Sequence, residues 1–204
     1  MFRFFESIAI VDGKPRNLYF HQTRVDKTFK HFFSKYESHH LEYLLTKIEL
    51  KAAPLVKCKF SYDELTFKFY QLPYVSKVFK SFILIEDDTI LYSYKFVDRS
   101  YIDKYLKNSS PDEQIIFIKN KVITDSSFSN LIFFDGYRWL TPARPLLLGT
   151  MRALLLAEWR IHEEHIGTNQ LHLFKSFKLI NALNSIEDSP EYPISLINPE
   201  IIKV

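Results

Sequence analysis

Glycine is scarce in this chain of 204 residues, which has four: Gly13, Gly136, Gly149 and Gly167. Positions so far apart cannot form a Gly-rich phosphate loop, and no Gly-x-Ser-x-Gly elbow is present, which removes two common enzyme signatures. Cysteine occurs once, as Cys58, so an intrachain disulfide is excluded and a reducing compartment suits the chain. No apolar run approaches the roughly 18 residues that cross a bilayer. The N-terminus MFRFFESIAIVDGK carries Glu6 and Asp12 where a signal peptide keeps its apolar region, so a cytoplasmic protein without a membrane partner is expected. An excess of one charge sign is also missing. The formal charge is +3, and lysines are interleaved with acids and phenylalanines, as in FKHFFSKYESHHLEYLLTKIELK, so no nucleic-acid partner is expected. HEEH at His162–His165 lacks the spacing of a helical zinc-protease motif, and His39, His40 and Cys58 form no ligand set, so no metal is expected.

What is abundant is apolar and aromatic side chain, 47% and 16% of the residues, enough to bury the core of one large domain or two small ones. FRFFESIAIVDGKPRNLYF reads as two strands around an Asp12-Gly13 turn. HQTRVDKTFKHFF and LEYLLTKIEL have helical spacing, and LVKCKFSYD returns to a strand, which closes a first α+β unit near Tyr74. KVFKSFILIEDD and EQIIFIKNKVITD read as strands with the short helix SYIDKYLKN between them. NLIFFDGYRWLTP reads as a hairpin around Asp135-Gly136. GTMRALLLAEWRIHEEHI is the clearest helix, opening after Gly149.

Within KVITDSSFSNLIFFDGYRWLTP, Asp125 stands where a strand prefers a β-branched or aromatic residue. Asp among serines is a common turn former. Lys95 by itself reads as a surface lysine, Arg24 as a helix-surface arginine, Asn130 as a turn residue and Asn181 as the end of a strand. The order of the segments adds information: FFESI, then DGKPRNLYFHQTRVDKTF, KCKFSYD, YSYKFVDRSYIDKYL, ITDSSFSNLIF, GTMRALLL and LINALNSI. From about Phe4 to about Ile194 this order resembles the class IV aminotransferases. These are the fold-type IV pyridoxal-phosphate enzymes, which include branched-chain and D-amino-acid aminotransferases and aminodeoxychorismate lyases.

The resemblance implies an α+β protein with two domains, a small one over residues 1–74 and a larger pseudo-barrel over 75–204, with pyridoxal 5'-phosphate between them. Lys95 in YSYKFVDR matches the Schiff-base lysine, followed by the Arg99 that lyase members often carry. Asp125 matches the acid at the pyridine nitrogen, although the family usually has Glu there. Arg24 matches the phosphate-binding arginine, and Gly149, Thr150 and Met151 match the phosphate turn before the long helix, where relatives commonly have Ile-Thr. Ser126, Ser129 and Asn130 would shape the cofactor wall, and Asn181 with Ala182 would bind a substrate carboxylate.

The implied partners are a small-molecule amino substrate and a second copy of the chain in a homodimer. The favoured reaction is that of a 4-amino-4-deoxychorismate lyase, forming 4-aminobenzoate and pyruvate, on the strength of YKFVDR and INAL. Transamination of branched-chain or D-amino acids is the alternative. Longer relatives begin with an additional strand before the one matched by FRFFESI, and an active-site tyrosine of aminotransferase members has no counterpart here. A catalytically silent protein is therefore a third expectation.

Overall fold

The computed structural model describes every residue except Met1, Ala52 and Asn108. The chain folds as two compact units, Met1–Val75 with Tyr94–Asp98, and Ser76–Ser93 with Arg99–Val204. The expected boundary at Tyr74 thus needs one correction. Tyr94–Asp98 belongs with the first unit because Phe96 bridges to Phe4 and the Phe5 N–H donates to the Lys95 carbonyl at 3.0 Å. Lys95 is therefore a residue of the small unit.

In the first unit, β1 (Phe4–Val11) turns into β2 (Lys14–Pro15), and α1 (Leu18–Phe32) and the short α2 (Leu41–Leu45) precede β3 (Val56–Tyr62) and β4 (Phe67–Pro73). The sheet order is β2-β1-β3-β4, antiparallel throughout. Asp12 and Gly13 both take positive φ, 48° and 77°, as a two-residue hairpin with right-handed strand twist requires. Asn17-Leu18-Tyr19-Phe20, read as part of a strand, instead opens α1. Alternation on β1 puts Phe4, Ile8 and Ile10 against Val25, Phe29 and Phe33 at helical spacing, all buried. Each large side chain buried there is worth roughly 1.5–3 kcal/mol. β4, FKFYQLP, was not identified from sequence.

In the second unit, the strands are β5 (Ser81–Glu86), β6 (Glu113–Lys119), β7 (Val122–Ser126), β8 (Asn130–Phe134), β9 (Trp139–Pro142), β10 (Ile161–Glu164), β11 (Ser176–Ile180), β12 (Glu191–Pro193) and β13 (Ile197–Lys203). The helices are α3 (Ser100–Leu106) and α4 (Thr150–Ala157). These strands form a nine-stranded sheet in the order β10-β9-β8-β7-β6-β5-β13, with β11 paired to β8 and β12 to β11. Phe82 of β5 meets Phe177 of β11 and Tyr192 of β12 at ring distances of 4.7 and 4.9 Å. Strands far apart in sheet order therefore share one core, as in a sheet curled toward a barrel. No helix among the described residues is long and apolar enough to cross a membrane.

The helix expected to run from Gly149 through HEEHI stops at Ala157, and His162 lies in β10. Trp159 takes the left-handed conformation, φ 56°, and the Arg160 N–H closes back on the Leu155 carbonyl at 2.9 Å. That is the Schellman arrangement, with tryptophan at the position usually held by glycine. Trp159 is 80% exposed, so its ring buries little to offset the backbone strain. Trp159→Gly is expected to leave stability unchanged or raise it by up to about 1 kcal/mol, whereas Trp159→Val should lower it. Urea midpoints of the three proteins test this, and a marked loss for the glycine variant would assign the ring a packing role.

Candidate active site

In the first unit, β1 presents Glu6 on its helix-facing side, between Phe4 and Ile8, with no solvent exposure. His21 and Arg24, three residues apart, lie on one face of α1. The Arg24 guanidinium grips the carboxylate with both ends, Nε to Oε1 at 2.8 Å and Nη2 to Oε2 at 2.5 Å, and the His21 Nδ1–H donates to Oε2 at 2.6 Å. Burial alone would raise the Glu6 carboxyl. The Arg24 charge and its hydrogen bonds, with help from His21, reverse this and hold it at about 2, down from 4.5. Burial pushes the imidazole down, with Glu6 opposing and Arg24 and Lys95 adding to the fall, so His21 is neutral. Lys95 is half-buried, and its Nζ lies 4.7 Å from the centre of the Phe5 ring.

In the second unit, Asp125 is no turn residue: it sits within β7, 4% exposed. The turn follows it, closed by the Ser126 N–H on the Ser129 carbonyl at 2.9 Å and by the Ser129 N–H on Ser126 Oγ at 3.0 Å. Asn130, directly opposite Asp125 on β8, donates Nδ2 to Asp125 Oδ1 at 2.7 Å and to the Leu147 carbonyl at 2.9 Å. The Leu147 N–H donates to Asp125 Oδ2 at 2.9 Å. Two side chains thus fasten the segment leading to Gly149 from below. A Cβ on Gly149 would stand 1.9 Å from Asn130 Oδ1, so only glycine allows this approach. Burial pushes the Asp125 carboxyl up to about 7, against the pull of the Leu147 N–H, Asn130, the Arg152 charge and the Leu146 N–H.

Gly149 is the N-cap of α4 and no side chain caps it, while Thr150 and Met151 are buried in its first turn. The Met151 side chain packs with Ile132, Leu155 and Ile180. Asn181 is engaged at both ends. Its Nδ2 donates to Ser129 Oγ at 2.8 Å, and its Oδ1 accepts from the Leu183 and Asn184 N–H groups at 2.8 and 3.0 Å. The side chain therefore builds the turn that carries Ala182 and ties it to the β7–β8 hairpin.

Asp125 and Asn130 are thus bonded to each other and to Leu147, and Ser126, Ser129 and Asn181 form a second bonded group on the adjoining turn, while Gly149 is packed closely against Asn130. Sequence reasoning missed Glu6 and His21, the partners of Arg24, although a carboxylate on the inward face of an alternating strand signals a buried ion pair. It also missed Arg99 as a brace: the Nη2 donates to the Ser127 carbonyl at 2.5 Å. Among the described residues no three His, Cys, Asp or Glu side chains gather as a metal site.

Residues 93–187 match the family described as amino-transferase class IV. An uncharacterized protein of Haemophilus influenzae is 34% identical over 189 residues, which cover 91% of this chain and 100% of that protein. A crystal structure from Haemophilus somnus, named as a candidate 4-amino-4-deoxychorismate lyase, superposes with a TM-score of 0.85 at 32% identity, covering 91% of this chain and 98% of its own. A hypothetical aminotransferase from Mycobacterium tuberculosis, with alpha-ketoglutarate and PMP bound, shares the fold at a TM-score of 0.75 and 14% identity, over 98% of this chain and 82% of its own. The chain belongs to the class IV aminotransferase family and has its two-unit, mixed α/β fold.

Removing Arg24 leaves a fully buried carboxylate without its cation. Arg24→Ala is expected to cost about 3–5 kcal/mol of stability, far more than a surface arginine would. A double variant Glu6→Gln/Arg24→Met should recover part of that. Because the Glu6 carboxyl is lowered from 4.5 to about 2, its contribution is present above pH 4.5 and lost as the pH falls through 2. Urea unfolding at pH 7 measures both variants, and a loss below about 1 kcal/mol for Arg24→Ala would show the pair to be dispensable.

Asp125 behaves in the opposite sense. Its carboxyl is raised from 3.8 to about 7, so the native apoprotein holds a proton that the unfolded chain has lost, and stability declines as pH rises from 4 through 7. Asp125→Asn should flatten that decline. Unfolding free energies of the two apoproteins at pH 5 and pH 8 decide it, and parallel pH profiles would contradict the assignment.

Proposed function

We propose that this chain is a pyridoxal-phosphate-dependent enzyme with a lyase reaction of the 4-amino-4-deoxychorismate type, converting the substrate to 4-aminobenzoate and pyruvate. The observation that carries the proposal is Asp125, a buried carboxylate pushed up to about 7 and held by neutral donors at Asn130 and Leu147. Such a group is stabilised by one further cationic donor, and a carboxylate has lone pairs for it. A protonated pyridine nitrogen has that chemistry. The Haemophilus somnus relative, 32% identical over 91% of this chain, supports the lyase assignment.

When bound, pyridoxal phosphate supplies a carbonyl carbon for amine capture and a ring that withdraws electrons from the reacting carbon. Lys95 Nζ is the amine that would hold the cofactor and serve as the proton-transfer group. It accepts the proton lost from the substrate ring carbon bearing the amino nitrogen and returns one to the departing three-carbon fragment. Asp125 would supply the negative charge opposite the pyridine nitrogen. The Gly149–Thr150–Met151 main chain, at the positive end of α4, would hold the phosphate, and Arg24 is the guanidinium that the family resemblance assigns to it. Ser126, Ser129 and Asn130 form the cofactor wall. Because the Asn181 side chain is engaged in its own turn and its N–H and carbonyl are paired with Asn184, Asn181 positions the turn, and recognition of a substrate carboxylate is assigned to Ala182. A homodimer acting on a small amino substrate in the cytoplasm completes the proposal.

The purified protein loaded with pyridoxal phosphate is expected to release pyruvate from 4-amino-4-deoxychorismate with no amino acceptor present. Lys95→Ala should abolish this and should carry no pyridoxyl group after borohydride reduction. Release that requires 2-oxoglutarate would identify a transaminase instead. A pyridoxyl group mapped to any other lysine would displace Lys95 from the centre of the reaction.

A further inference from the structure

A cavity of about 260 Å³ lies within the second unit, lined by none of the residues assigned above to cofactor or substrate. Its walls come from the segment after β5, the β6–β7 hairpin and the loop before α4. Ile90, Tyr92 and Leu146 supply apolar surface, and Lys119, Arg144 and His165 supply the cationic and imidazole groups. No Asp or Glu lines it. Asp88 is turned onto the Asn120 N–H at 2.6 Å and lies outside the lining. Lys119 is fixed at the wall by a hydrogen bond from Nζ to the Ile90 carbonyl at 2.7 Å, which leaves two of its three N–H groups. Arg144 and the His165 imidazole have no hydrogen-bond or ion-pair partner among the described residues.

Two cationic side chains, Arg144 without a partner among the described residues and Lys119 with donors to spare, beside apolar walls and with no acid in the lining suit a ligand that carries negative charge on an apolar body. The volume suits a single ring rather than a nucleotide. We propose that this cavity binds a small aromatic carboxylate, with its carboxylate on Arg144 and Lys119 and its ring against Ile90, Tyr92 and Leu146. The Leu146 N–H is also one of the groups that hold Asp125, so a ligand here touches the segment that sets the Asp125 environment. The site is independent of the proposed reaction.

Benzoate and its neutral counterpart benzamide are the probes, titrated calorimetrically into the protein loaded with pyridoxal phosphate. Benzoate is expected to bind and benzamide to bind at least about tenfold more weakly, as loss of a charge-assisted contact implies. Arg144→Ala, at an exposed position, should fold normally and weaken benzoate by about tenfold or more, while Arg144→Lys should retain part of the affinity. Lys95→Ala should leave benzoate binding in place. The proposal is overturned if benzoate does not bind at millimolar concentration, if benzamide binds equally well, or if Arg144→Ala changes nothing. Loss of binding in Lys95→Ala together with retention in Arg144→Ala would assign the ligand to the catalytic lysine and would also overturn it.

Discussion

One buried carboxylate organises the second unit around the site. Asp125 has no solvent to share its charge with, so every donor within reach is drawn to it: Asn130 across the ladder, and the main chain of Leu146 and Leu147 from the loop before α4. This fixes the loop before α4, which periodicity does not fix. Without Asp125 and Asn130, residues 143–149 would be an ordinary surface loop. With them, Gly149 is pressed against Asn130 so closely that a methyl group would not fit, and the start of α4 has a defined position. The ring-nitrogen acid and the phosphate turn of the proposed cofactor site are thus two ends of one hydrogen-bonded unit.

The first unit handles its buried carboxylate in the other way. Glu6 receives a full cation through a two-point guanidinium contact and a neutral imidazole donor, so it stays ionised at all but the lowest pH. Asp125 receives mainly neutral donors, with Arg152 acting only at longer range while its own Nη2 bonds Glu163 at 2.6 Å and the Pro142 carbonyl at 3.0 Å. The same physics of burial therefore leaves one acid locked as an ion and the other with its carboxyl pushed well above the usual carboxylate range. A carboxylate in the second condition can gain from a charged ligand, whereas one in the first has little left to gain.

The parts of this picture legible in the sequence were those set by short-range rules. The Asp12-Gly13 hairpin, the apolar stripe of α1 and the alternation of β1 follow from spacing and turn chemistry. The extent of α4 did not, because Trp159 gives no glycine signal for the stop, and Ile161–Glu164, rich in helix formers, is held as a strand by parallel pairing with β9. The assignment of Tyr94–Asp98 to the first unit was hidden for a related reason. It depends on Phe96 meeting Phe4 and on the Phe5 N–H reaching Lys95, contacts across some 90 positions of chain that no local pattern announces. Asp125 could be singled out by order among motifs. That its oxygens answer to Leu147 rather than to a turn could not, since the loop contributes only main-chain groups.

The length of the Asp125 side chain takes its meaning from those same main-chain groups. A shorter side chain on β7 keeps both oxygens close to the strand, where Asn130 Nδ2 and the Leu147 N–H lie within 2.9 Å, and so the carboxylate and the loop are pulled toward each other. The short acid therefore acts together with Asn130 and with Gly149, whose approach to Asn130 leaves no room for a Cβ. Its electrostatic effect on any ring-nitrogen cation depends on how firmly that loop is held as much as on the carboxylate itself.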